Sequence, residues 1–404
     1  MARIRRLVLF ANLGVLVVSL AFAGWPSAAG AGVPARRSTR LDTPASAGWI
    51  IQPSPNPFGS TDATLRSVVC TNERSCIGVG DFFSGGTTLS PLAEAWDGAG
   101  WSIQSTPAPD GAVSTSLASV SCWVDQCMAV GYFKDTSYTN QPLAERWDGT
   151  SWSVVDVPLP AGSTGTTLGA VDCSGDGACI AVGWYQDLAW QLFALAARWD
   201  GSAWSLQTMP DPGQSTLSGV ACPGPTMCLA VGTTFTGQGY ATLAERWNGH
   251  VWAVIPTPNP DGSVAYFQGV ACPSLNACTA VGRFDDGFGE LTLAEQWDRG
   301  SWVIVATPNP EGVSHIMLAG VACTRAGSCT AVGQYEIQAW YYGTLSEHLQ
   351  HGVWTIQSMP DPPGGQGGQL FGVNCTTATC VAVGSFDSGF YGDIPKTLIE
   401  RHRA

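Results

Sequence analysis

The sequence predicts an all-β protein, a seven-bladed β-propeller with four strands per blade, whose ring is closed by an N-terminal strand completing the last blade. Three observations predict it. A text of about fifty residues recurs seven times. Each copy reads as four short strands punctuated by Gly, Asp and Pro. The last copy stops after its third strand, and the missing fourth stands ahead of the first copy, at Gly48-Trp49-Ile50-Ile51-Gln52.

In chain order, the basic residues Arg3, Arg5 and Arg6 precede an apolar run from Leu7 to Phe22. Small-residue cleavage motifs follow at Ala21-Phe22-Ala23 and Ala29-Gly30-Ala31. This pattern predicts an export signal over residues 1–23. The run approaches bilayer-spanning length, so an uncleaved anchor is the alternative. No other stretch is long and apolar enough to span a membrane. Residues 24–47 are rich in Ala, Gly, Ser and Pro and predict a flexible linker. Residues 48–404 carry the propeller.

The fourteen cysteines fall into seven local pairs: Cys70 with Cys76, Cys122 with Cys127, Cys173 with Cys179, Cys222 with Cys228, Cys272 with Cys278, Cys323 with Cys329 and Cys375 with Cys380. Their first members recur at intervals of 52, 51, 49, 50, 51 and 52 residues. Strand a is the text L-x-x-V-x-C ahead of each pair, as in Leu117 to Cys122. Strand b is C-x-A-V-G, as in Cys278 to Gly282. Strand c is L-A-E-x-W, as in Leu143 to Trp147, and strand d begins with the second Trp of W-D-G-x-x-W, as at Trp152. A Pro-rich turn such as Thr257-Pro-Asn-Pro260 closes the copy. The cysteine spacing is not that of a C-x-x-C metal or redox site, and no histidines accompany it. In an exported chain such pairs predict disulfides across each a–b hairpin.

Seven tryptophans begin strand d and five end strand c, which marks them as core and interblade packing. The strand c glutamates Glu94, Glu145, Glu245, Glu295, Glu347 and Glu400 recur around the ring. A catalytic acid must be singular, so these are expected to be buried structural residues supplied with hydrogen-bond donors. Asp97, Asp148, Asp200 and Asp298 are expected to serve the c–d turn.

These elements resemble the kelch family. W-D-G-x-x-W and A-V-G stand in the strand order of the kelch aromatic and glycine landmarks over residues 48–404. The kelch double glycine is single here, as at Gly131, Gly183 and Gly282, and the cysteine pair is an addition. The D-G-x-x-W turn is similar to a shortened Asp-box. Secreted bacterial seven-bladed propellers of this kind are what the resemblance implies.

Residues 48–404 hold 12 basic and 30 acidic residues, a net charge of −18, which repels phosphate backbones and argues against nucleic-acid binding. A secreted or envelope-associated monomer is expected, with no cofactor and no membrane contact beyond the signal segment. Antiparallel order places the a–b and c–d turns on one uniform face and the b–c and d–a loops on a variable face. Binding residues are expected on variable loops held by a rigid frame. The candidates are Trp184, Tyr185 and Trp190 in copy three, Phe284, Asp285 and Asp286 in copy five, Trp340, Tyr341 and Tyr342 in copy six, and Phe386 and Asp387 in copy seven. Copies three and six lie nearly opposite in a ring of seven. Aromatics beside carboxylates suit sugar rings, so the expected function is non-catalytic recognition of an extracellular glycan or protein. The alternative is a glycan hydrolase or lyase with Asp285, Asp286 or Glu290 facing Asp387 or Asp393. No G-x-S-x-G, H-E-x-x-H or phosphate-cradling loop supports catalysis.

Overall fold

The computed structural model describes residues 48–403, apart from 87, 176, 211, 261–262, 299, 339–340, 363–366 and 388–394. The expected signal and linker lie outside the described residues. The described residues form seven four-stranded antiparallel sheets, each ordered a-b-c-d. Blade 1 consists of Asp62–Asn72, Ser75–Phe83, Leu89–Trp96 and Trp101–Gln104. Blade 7 takes Gly368–Cys375, Thr379–Asp387 and Pro395–Arg403 from the C-terminal copy and Ile50–Gln52 from the N-terminal segment. Ile50 pairs with Arg401, Ile51 with Glu400 and Gln52 with Ile399. Strands a of successive blades touch around the whole ring, the seventh against the first.

The repeated text has local causes. In every strand a the residue after the Leu or Phe is bulged out of the ladder, as between Leu65 and Ser67 or Phe267 and Gly269. A bulge bends the strand and brings its backbone toward its partner. The A-V-G glycine sits opposite. A Cβ at Gly80, Gly131, Gly183, Gly232, Gly282, Gly333 or Gly384 would stand 1.8–2.0 Å from a strand a carbonyl oxygen. No other residue fits there, which is why all seven copies spell glycine.

Apolar clusters fill the seams between blades. One joins Val182 and Ala196 of blade 3 to Leu217 and Leu243 of blade 4. Two more, around Trp49 and around Leu65, bind blade 7 to its neighbours on both sides. Strand d tryptophans face the strand c tryptophans of their own blade, with ring centroids 5.6–5.9 Å apart in five blades. Three strand d tryptophans also latch to the preceding blade. Trp101 Nε1 donates to Gln52 at 3.1 Å, Trp152 to Gln104 at 3.0 Å and Trp49 to Gln357 at 3.0 Å. Where the preceding blade offers Val155, Ile255 or Val305 instead of Gln, the indoles of Trp204, Trp302 and Trp354 have no protein acceptor, and Trp252 has none either, because Gln207 of blade 3 turns its amide to Ser205.

The Pro-rich turn is a clamp on strand c. Asn259 Oδ1 accepts from Thr242 N at 2.9 Å, and the Thr257 and Thr242 hydroxyls meet at 2.8 Å. Asn309 and Thr307 repeat this on Thr292. Asn56 and Ser54 repeat it on Thr397, across the chain ends, at 3.0 and 2.6 Å.

All seven expected disulfides form, each inside one a–b hairpin. Cys70 bonds to Cys76, Cys122 to Cys127, Cys173 to Cys179 and Cys222 to Cys228. Cys272 bonds to Cys278, Cys323 to Cys329 and Cys375 to Cys380. The second member of each pair is the buried one. Cys76, Cys127, Cys179, Cys228, Cys278, Cys329 and Cys380 all belong to the apolar core, so each bridge also ties the hairpin into a blade seam. Seven disulfides point to an oxidising compartment.

The strand c glutamates are buried as expected, with 0% exposure, but their donors are mostly missing. Glu94 accepts from Ser54 Oγ at 2.9 and 3.2 Å. Both carboxylate oxygens of Glu145, Glu245, Glu295 and Glu400 lack a protein partner. Burial pushes the carboxyl groups of Glu94, Glu145, Glu245, Glu295, Glu347 and Glu400 up to about 8. They are therefore neutral acids near pH 7, which removes the need for charge-balancing donors. Blade 3 has Ala197 at this position, inside an apolar cluster with Met128, Val155 and Leu206. Three of the four c–d turn aspartates serve the turn as expected. Oδ1 of Asp97, Asp148 and Asp200 each accepts two backbone N–H groups at 2.8–2.9 Å.

Candidate functional site

The residue after the A-V-G glycine differs in every copy: Asp81, Tyr132, Trp184, Thr233, Arg283, Gln334 and Ser385. Strand b carries it to the variable face, where it meets strand a of the next blade. Asp81 takes the Ser116 hydroxyl at 2.6 Å, and Arg283 reaches the Met317 sulfur at 3.6 Å. A position that breaks an otherwise uniform text, at the mouth of the ring, is where specificity can be built.

Two polar clusters grow from it. Around blades 7, 1 and 2, Arg66 stands in the strand a bulge and grips Asp81 with two guanidinium nitrogens, one at 3.2 Å. Asp62, Tyr342, Phe371, Phe386 and Asp387 line the adjoining cleft of about 350 Å³ with Arg66. Burial raises the Asp62 carboxyl above its usual range, with Asp81 and Asp387 adding to the rise and Arg66 opposing it. Burial also raises Asp387 and the Tyr132 phenol. Around blades 5 and 6, Arg283 pairs with Glu290 at 2.9 Å and lies 4.9 Å over the Tyr266 ring. His315 then bridges Glu290 and Glu336, with 3.4 Å to each. Tyr266 continues into Tyr240 and Phe235 of blade 4, with centroids 5.5 Å apart at each step.

The expected site residues divide. Tyr342, Phe386 and Asp387 come together at the cleft. Tyr341 lines a separate groove of about 500 Å³ with Tyr335 and Met359. Tyr185 stacks on Phe193 at 5.4 Å and packs into the blade core, as Phe284 does in blade 5. Trp184 is half-buried, while Trp190 is 76% exposed. Asp285 and Asp286 cap their own turn, Asp285 accepting from Gly287 N and Asp286 from Phe288 N, both at 2.8 Å. Trp340 and Asp393 lie outside the described residues.

Asp62, Arg66, Asp81, Tyr266, Arg283 and His315 were not expected at the site, because they sit on strands a and b and not in the variable loops. The seven-way variation after the glycine is the sequence signal that points to Asp81 and Arg283; the strand a residues join them only through the fold. Tyr138 was likewise unmarked. Among the described residues, no group of three or more His, Cys, Asp and Glu is arranged to hold a metal ion.

No family model matches the sequence, and no curated protein does. Solved structures do. One is YCF48 bound to a D1 peptide, with TM-score 0.51 and 11% identity over 88% of this chain and 94% of that one. Another is a polysaccharide lyase, an ulvan lyase bound to -[GlcA(1-4)Rha3S]-, with TM-score 0.53 and 8% identity over 84% and 94%. The WD40 propeller domain of Doa1 aligns with TM-score 0.48 and 14% identity over 84% and 96%. What the first two share with the chain is the fold. Function has to be argued from the face itself.

Proposed function

We propose that the chain is an exported, kelch-like, non-catalytic binding propeller that recognises an extracellular glycan or protein on its variable face. One observation carries the reading. Among the described residues, the exposed aromatics Phe58, Tyr138, Trp190, Phe235, Tyr240 and Phe288 all stand on b–c or d–a loops or their strand ends. The cysteine face exposes aliphatics instead, among them Val124, Val251, Leu275 and Val353. Rings left this exposed gain little from folding, even where Phe235 and Tyr240 pack on each other, and their gathering on one face supports its reading as a contact surface.

The test is binding of the exported chain to a glycan array and to purified cell-envelope material. Changing Phe58 and Phe288 to Ser should weaken retention at least ~10-fold, and changing Val124 and Leu275 to Ser should leave it intact. Equal loss from both pairs, or no ligand in either panel, overturns the reading. The glycan-active alternative has one observation in its favour, the raised carboxyls of Asp62 and Asp387 on one cleft. It requires reducing-end release from a polysaccharide that Asp62→Asn abolishes. Without such release that alternative fails.

A further inference from the structure

We infer that Tyr138 and Trp190 form a matched pair of stacking platforms for the rings of a neutral polysaccharide laid across blades 2 and 3. The inference rests on the binding reading above and names its ligand class. The two residues occupy the same place in the same turn. In blade 2, Asp135 Oδ1 accepts from Ser137 N at 2.8 Å and Thr139 N at 3.1 Å. In blade 3, Asp187 Oδ1 accepts from Ala189 N at 2.8 Å and Gln191 N at 2.9 Å. Tyr138 N donates to Asp135 O at 2.9 Å and Trp190 N to Asp187 O at 3.1 Å. Each aromatic is the fourth residue of its turn, with φ of +60° and +63°.

Two costs fall on this position. A left-handed backbone is unfavourable for a residue with a Cβ. The rings are 72% and 76% exposed, so burial does not offset it. Glycine would serve the turn better. Blades 4 and 5 use it for their positive φ, at Gly237, Gly239 and Gly287. An exposed left-handed residue alone marks nothing, since Val124 and His351 are held that way on the other face; what sets Tyr138 and Trp190 apart is an aromatic at the same place of the same Asp-capped turn in adjacent blades, and that repetition points to a contact outside the chain.

The form of the surface selects the ligand. Two rings on turns of adjacent blades, with Leu188 exposed beside Trp190 and the polar Thr136 and Ser137 beside Tyr138, make small apolar spots among polar groups and not the continuous apolar core that a protein interface buries. They suit flat, separate units joined in a chain, whose C–H faces stack on aromatics and whose hydroxyls find exposed Thr136 and Ser137. Acidic residues outnumber basic ones 30 to 12 over residues 48–404, an excess that stays large with the six buried strand c glutamates neutral, and with the carboxylates of Asp135 and Asp187 at the turns it repels uronate and sulfate chains. Uncharged hexose or N-acetylhexosamine polymers remain.

The test is native affinity electrophoresis of the exported chain through gels holding a glucan, a mannan, glycol chitin or polygalacturonate. Retardation is expected in at least one of the three uncharged polymers and not in polygalacturonate. Tyr138→Ala and Trp190→Ala should each weaken it on the order of tenfold, the double variant should abolish it, and Trp190→Phe should retain most of it. Thermal melting of each variant separates lost binding from lost folding. Retardation only in polygalacturonate, none in any gel, or full retardation of a folded double variant overturns the inference. In the last case, or if an extracellular protein binds the face with Tyr138 and Trp190 dispensable, the inference fails while the binding-propeller reading stands.

Discussion

Gly282 faces the Tyr266 carbonyl so closely that a Cβ would stand 1.9 Å from the oxygen. The clash is with backbone on both sides, so neither partner can rotate away. Gly282→Ala should therefore force the a and b strands of blade 5 apart and cost at least ~3 kcal/mol, in the range of severe core overpacking. Gly100 is the control. A Cβ there would meet nothing within 4 Å and its φ is not positive, so Gly100→Ala should change stability by less than ~0.5 kcal/mol. Urea unfolding at constant slope measures both. Equal midpoints for the two variants would remove the bulge–glycine account. The sequence displayed this glycine seven times but not its reason, because the bulge opposite is made by backbone geometry that no residue type announces.

Strand c carries the next consequence. Its six glutamates have an ordinary value of 4.5 and are held at about 8 by burial in the folded ring. Between these limits the folded chain keeps protons that the unfolded chain releases. Stability from this source is complete below about pH 4.5 and falls as pH rises through 8, by at most ~1.4 kcal/mol per pH unit per group. Urea midpoints should therefore be lower at pH 9 than at pH 5.5. Glu245→Gln keeps the shape and removes one titration, so its midpoint should fall less over the same interval. A flat profile in the parent chain would mean that the carboxyls are ionised and served. The a–b hairpins add a separate term. Each disulfide closes a loop of five or six residues, so Cys122→Ser with Cys127→Ser should cost about 2 kcal/mol. The strands, their order and these pairings were legible because the text repeats in register. The variable face was legible only as a location. Its loops share no template, and the left-handed turn under Tyr138 and Trp190 cannot be seen in residue types that ordinarily avoid it.

At the scale of the ring, closure is a contact between chain ends. Trp49 lies 5.4 Å from the His402 ring, its indole donates to Gln357, and Gln52 in turn accepts from Trp101. Ser54 bridges Thr397 of blade 7 to Glu94 of blade 1, and Asn56 caps the Thr397 amide. One short segment thus carries a strand edge, two interblade latches and a clamp. The sequence showed the split blade but not the latches, since a lone Gln in W-x-x-Q gives no sign that its partner is a tryptophan one blade away. Deleting residues 48–57 would expose the edge of Pro395–Arg403 and the cluster around Trp49 together, and an unpaired edge invites aggregation. The deleted chain should lose its cooperative transition. A circular permutant isolates the cause. Joining residue 402 to residue 49 through a D-G-x-x turn copied from Asp97–Gly100 makes blade 7 continuous, and opening the chain at the fully exposed Phe58-Gly59 moves the ends to a loop. Every native contact is kept while the closing strand becomes local to its blade, which lowers the loop-closure entropy of docking it. The permutant should melt cooperatively at or above the parental midpoint. If it melts well below, or if the deletion melts like the parent, strand exchange between the chain ends is not what holds the ring shut.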